Sequence, residues 1–215
     1  MSPTMHDHSL EALIDATRFF FERGWVPATS GNFSLRLPDG TIMITVSGRH
    51  KGALDRDGLM AVDHDGQPLD PQRRPSAETL LHTRLYRRWP ELGAVLHTHS
   101  PYATVLSRRL RSEDDASDDR PSLLHLDDYE VLKAFPGIDS HENAVQLPVF
   151  ANTQDIPLLA DRVDRYLDRH AAPPGYLIAG HGLYTWGATV GDARRHVEAL
   201  EFLLQCETLT RRMTP

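Results

Sequence analysis

Residues 32–46 read NFSLRLPDGTIMITV. Phe33, Leu35 and Leu37 alternate with polar residues, Asp39-Gly40 follows, and then Ile42, Ile44 and Val46 alternate in turn. Two period-two apolar runs joined by Asp-Gly predict a β-hairpin, so an antiparallel pair sits early in the chain. Other segments carry a helical period. Residues 7–23 place Leu10, Leu13, Ile14, Phe20 and Phe21 on one face, with Gly24 as a stop. Residues 76–89 predict a second helix, opened by Pro75 and Ser76, striped by Leu80, Leu81 and Leu85 and ended by Pro90. Further helices are expected from residue 101 and over 127–135, 156–170 and 192–213. Strands are expected over 59–62, 94–99 and 145–150, with two more within 175–186. The acidic, apolar-free stretch 112–120 reads as a solvated loop. Alternating helices and strands with an early hairpin give a three-layer α/β/α fold with a largely antiparallel central sheet, as one domain over 1–215.

Composition narrows the function. Lys+Arg 23 against Asp+Glu 30 leaves a formal charge of -7, which argues against nucleic acid or an anionic membrane as partner. No apolar run reaches the roughly 18 residues of a membrane helix, and the N-terminus lacks a secretory signal pattern. The single cysteine, Cys206, can form no internal disulfide, so a cytoplasmic setting is expected. Chemistry is then sought among the 12 histidines.

The sharpest motif is Leu96-His97-Thr98-His99-Ser100. Residues two apart on a strand point to one face, so both imidazoles can meet one ion. The same pair also reads as ordinary polar groups at a strand end. His181, flanked by Gly180 and Gly182, is the candidate third ligand, and three neutral nitrogens leave a fourth zinc position open for substrate oxygen. The other histidines, His82 among them, read as surface or core residues. Three short stretches, Ser30-Gly31-Asn32, Ser47-Gly48 and Ser76 at a helix start, can cradle a phosphate with hydroxyls and backbone N–H groups, and Lys51 adds charge. As isolated dipeptides they equally mark plain turns. Two carboxylates stand out. Glu78 lies two residues into the expected second helix, where an acid is also simply favourable, and Glu130 follows Asp127-Asp128-Tyr129.

Taken together, SGNFS, the later SG, PSAE, HTHS and GHG resemble the class II aldolase/adducin family in order and spacing, over nearly the whole chain. Within it, HTHSPYATVLSR, YEVLKA and HGLYTWG look most like the family's sugar-phosphate dehydratases. The resemblance implies one zinc per subunit on His97, His99 and His181, and a sugar phosphate held around Ser30, Gly31, Asn32, Ser47, Gly48 and Ser76. It also implies a homotetramer with active sites at subunit contacts. The acid/base glutamate of the family's aldolases falls at Glu78 and that of its dehydratases at Glu130, which is the preferred base. Zinc-dependent dehydration is the expected activity. A sugar-phosphate aldolase and a metal-free adducin-like interaction module are the alternatives, and intact His97, His99 and His181 argue against the module.

Overall fold

The alternation around Asp39-Gly40 is realised as a hairpin in the computed structural model, which describes residues 5–113 and 120–213. Helix α1 (Met5–Glu22) precedes it, burying Leu13, Ile14 and Phe20 and ending at Gly24, whose φ is +71°. Strands β1 (Asn32–Arg36) and β2 (Ile42–Thr45) pair antiparallel, Ser34 opposite Ile44. The Asp39 carboxylate accepts from the Thr41 N–H and fixes the turn. Strand β3 (Leu59–Val62), helix α2 (Thr79–Arg88) and strand β4 (Ala94–Thr98) follow. These elements form one compact unit, residues 1–98 with 186–194, in which the strand order is β3-β2-β1-β4 and every pairing is antiparallel.

The second unit, residues 99–185 with 195–215, begins at helix α3 (Pro101–Glu113) and strand β5 (Ser122–Leu126). Strand β6 (Val145–Phe150), helix α4 (Ile156–Leu167), strands β7 (Gly175–Ile178) and β8 (Gly182–Gly187) and the long helix α5 (Val190–Met213) complete the chain. Its order is β8-β7-β6-β5. Only β6 and β7 run parallel there, because α4 supplies the crossover that a parallel pair requires. Leu106, Leu124, Leu147, Leu177, Leu183 and Leu200 lie in its core. No described helix is long and apolar enough to cross a membrane.

Four expectations change. The second helix begins at Thr79, three residues after Ser76, because Pro75 is held extended in a bridge to Val46 and Ser76 to Thr79 form a turn. Residues 127–135 are not an α-helix. Asp128 has φ +58°, which breaks the helical path, and only Glu130–Ala134 close as a 3-10 turn through i to i+3 bonds. Residues 122–126 form β5, unassigned by the sequence reading, although Ser122, Leu124 and Leu126 are buried and Leu123 and His125 exposed in strict alternation. Of the expected acidic loop, Ser112 and Glu113 belong to the end of α3, and residues 114–119 lie outside the described residues.

Candidate metal centre

The polar face of β1 is not a solvent face. Phe33 and Leu35 are buried on one side of the strand, and Asn32 and Ser34 are buried on the other. In the ladder to β4, Asn32 stands opposite His97, so the two side chains share a face. His97 is completely buried there. β4 ends at Thr98, so His99, expected on the strand, lies one residue past it, and Ser100 then starts α3 at once. Its hydroxyl accepts from the Ala103 N–H, with Pro101 at the first helical position. His99 is thereby fixed between a strand end and a capped helix.

His181 reaches its place on a turn pinned from α3. The Ser107 hydroxyl accepts from the Gly180 N–H (3.1 Å) and donates to the Ile178 carbonyl (3.2 Å), and the Thr104 hydroxyl donates to the His181 carbonyl (3.1 Å). Gly180 takes φ +65°, a conformation that favours glycine. The rings of His99 and His181 are 4.6 Å apart between centroids. One ring nitrogen from each of His97, His99 and His181 lies within 4.8 Å of the others. Tetrahedral zinc with Zn–N bonds of about 2.0–2.1 Å holds its nitrogens about 3.4 Å apart, so small ring rotations bring this set onto one ion. Three imidazoles, with no fourth side chain in the group among the described residues, suit a centre with an open position.

The two carboxylates differ sharply. Glu78 immediately precedes α2 and makes no capping bond. Its Oε2 lies 3.3 Å from Nε2 of His97 and accepts from the Asn32 amide at 2.8 Å, with the side chain only 13% exposed. Glu130 is outside the histidine group. Its side chain is 70% exposed, 2.5 Å from Lys133 and 3.6 Å from His141. The Lys133 contact holds its carboxyl below the usual range.

The small polar stretches are drawn together in the first unit. The Ser47 N–H donates to the Arg74 carbonyl beside the Val46–Pro75 bridge, which brings Ser47-Gly48 alongside Ser76. Lys51 is buried and its ammonium donates to the carbonyls of Thr29 and Arg49, 2.9 Å each, tying the Ser30-Gly31-Asn32 turn to the Ser47-Gly48 turn. Burial pushes its pKa down to about 8. The Ser30 hydroxyl donates to the Pro27 carbonyl, closing its own turn.

One residue of this cluster reads from the sequence as an ordinary core histidine. His82 is fully buried and bridges Ser34 and Asn32. The signal was present. Glu78, His82 and Tyr86 are four apart and share one helix face, and Asn32 and Ser34 share one strand face.

The family model described as "Class II Aldolase and Adducin N-terminal domain" matches residues 11–208. A methylthioribulose-1-phosphate dehydratase from Methylococcus capsulatus is 56% identical over 208 residues, covering 95% of this chain and 97% of its own. One from Pseudomonas paraeruginosa is 56% identical over 92% of each chain. Among solved structures, YgbL from Escherichia coli matches with a TM-score of 0.74 at 27% identity over 93% of this chain and 87% of its own. The L-fuculose-1-phosphate aldolase from Thermus thermophilus matches with a TM-score of 0.73 at 26% identity, over 96% and 97%. With the fold and nearly the full length matched, the chain belongs to the class II aldolase and adducin N-terminal domain family.

Proposed function

We propose that this chain is a methylthioribulose-1-phosphate dehydratase, a zinc-dependent hydro-lyase of methionine salvage. It converts 5-methylthioribulose 1-phosphate to 2,3-diketo-5-methylthiopentyl 1-phosphate and water. The observation that carries this reading is 56% identity, over almost the whole chain, to a relative of that name. The aldolase from Thermus thermophilus stands at 26%. Residues 1–215 are read as one domain, which the single family model over 11–208 supports. The working form is a cytoplasmic homotetramer with no nucleic-acid or membrane partner.

His97, His99 and His181 would hold the zinc, and their convergence supports that assignment. Bound there, the ion supplies Lewis-acid polarisation of the substrate's C2 carbonyl. Ser30, Gly31, Asn32, Ser47, Gly48 and Ser76 surround the 1-phosphate, supported by the bridge and the Lys51 contacts that gather their turns. Glu130 is assigned the C3 proton, on its match to the dehydratase motif, and returns it to the C4 hydroxyl, which leaves as water. A proton added at C4 then gives the 2,3-diketone. Glu78 is the second acid/base group, placed beside His97.

That placement also favours a second reading. A carboxylate at the aldolase position, 3.3 Å from a candidate ligand, suits removal of the C4 hydroxyl proton and cleavage of C3–C4. Incubation with 5-methylthioribulose 1-phosphate, followed by carbon-13 NMR, separates the two. An intact diketone skeleton is expected, and a three-carbon ketose phosphate with methylthioacetaldehyde would establish the aldolase.

A further inference from the structure

We infer that His82 is a positioning residue that, through Asn32, aims and steadies the Glu78 carboxylate. The inference rests on the proposed role of Glu78 and extends it to a line of buried groups behind the site. The Tyr86 hydroxyl lies 2.9 Å from the Ser34 hydroxyl, which lies 2.7 Å from Nδ1 of His82. Nε2 of His82 meets the Asn32 side-chain oxygen, and the Asn32 amide nitrogen donates to Oε2 of Glu78 at 2.8 Å. Oε2 in turn faces His97 at 3.3 Å. His82 and Ser34 are completely buried, Tyr86 is 2% exposed and Asn32 5%.

Chemistry gives this line a direction. Burial drives the His82 pKa down to about 3, against the opposing pull of Glu78, so the ring is neutral and has one donor and one acceptor nitrogen. The Asn32 oxygen can only accept, so Nε2 carries the proton and Nδ1 accepts from Ser34. Ser34 then accepts from Tyr86. Every bond donates towards Glu78: Tyr86 to Ser34, Ser34 to His82, His82 to Asn32, Asn32 to the carboxylate. Reversing the line would turn the Asn32 oxygen towards the Glu78 carboxylate, acceptor against acceptor. The Asn32 amide nitrogen, facing Oε2 at 2.8 Å, sets the forward arrangement, and that arrangement holds Oε2 where it meets His97. A charged site group oriented by an outer layer of buried polar residues usually loses about 10–100-fold in activity or metal affinity when that layer is removed.

Two measurements test it. Nitrogen-15 NMR of the histidine-labelled, metal-free wild-type chain at neutral pH should show His82 as the Nε2–H tautomer. The Nδ1–H tautomer would overturn the inference without reference to substrate or activity. In zinc-loaded protein, His82→Leu should lower kcat about 10–100-fold with little change in KM and with zinc content retained. His82→Gln, whose amide can still donate to Asn32, should recover most of that loss. A folded, zinc-loaded His82→Leu protein with wild-type kcat would overturn the inference, as would a folded His82→Gln protein no better than His82→Leu. If His82→Leu does not fold, the tautomer and the Gln variant decide, a Gln variant within a few-fold of wild type supporting the inference. Failure of the wild-type chain to dehydrate its substrate would instead refute the functional reading and leave the tautomer result standing.

Discussion

Nε2 of His97 lies 3.3 Å from Oε2 of Glu78, joining a buried strand histidine to a carboxylate on the residue just before α2. Glu130, the favoured base, is itself exposed on a 3-10 turn, in contact with Lys133 and His141. Exchanging each for glutamine keeps shape and removes the basic oxygen. Glu130→Gln should lower dehydration by the roughly 10²–10⁴-fold of general acid–base catalysis, with zinc content unchanged. Glu78→Gln should cost less if it only tunes the site. Steady-state kinetics on both variants assign the base, and the reverse order of losses transfers that role to Glu78.

Gly31 tests the link between its turn and β4, the strand that carries His97. It takes φ +75°, and a Cβ there would lie 2.8 Å from both the His97 carbonyl and Val26 Cγ1. Gly31→Ala should destabilise the protein by about 1–3 kcal/mol from backbone strain alone, and more from the clash. Because the clash pushes on β4, zinc affinity should fall with stability. Urea unfolding and zinc titration check this together, and an unperturbed variant contradicts the packing described here.

Lys51 should leave a mark on the pH dependence of stability. Its pKa falls from 10.5 to about 8 on burial. Between those values the unfolded chain holds a proton that the folded chain lacks, so this residue makes stability rise with pH through that window. In Lys51→Met the rise should disappear. Urea unfolding of both proteins at about pH 7.5 and about pH 10 measures it. A wild-type chain whose stability, relative to Lys51→Met, stays flat or falls between those two values contradicts the burial of the ammonium.

The strand and helix periods were legible because burial follows apolar spacing, as in β3 and the hairpin. The histidine motif was legible because His97 and His99 lie two apart where β4 ends, His97 on the strand and His99 one residue past it. The start of α2 was not, since the bridge between Val46 and Pro75 is a long-range contact that delays the helix. Nor was the 3-10 turn, which depends on the left-handed backbone at Asp128. His82 escaped because its four-residue spacing from Glu78 and Tyr86 is also that of a plain helix face, and what singles it out is long-range. Its partners Asn32 and Ser34 come from a strand about 50 positions earlier.

The histidine group predicts its own loss. A His97→Ala/His99→Ala double variant should fall from about one zinc per chain to background, because a single imidazole is a weak site. Its circular dichroism should stay close to wild type, since the cores of both units are built from buried apolar side chains. Stoichiometric zinc in that variant places the ion elsewhere.

The most direct measurement is the reaction in deuterium oxide, followed at early times by carbon-13 NMR. Dehydration removes the C3 proton, expels the C4 hydroxyl and adds a solvent deuteron at C4, so the account predicts an intact diketone carrying one deuteron at C4. A deuteron on the terminal carbon of a three-carbon ketose phosphate, released together with methylthioacetaldehyde, would contradict it.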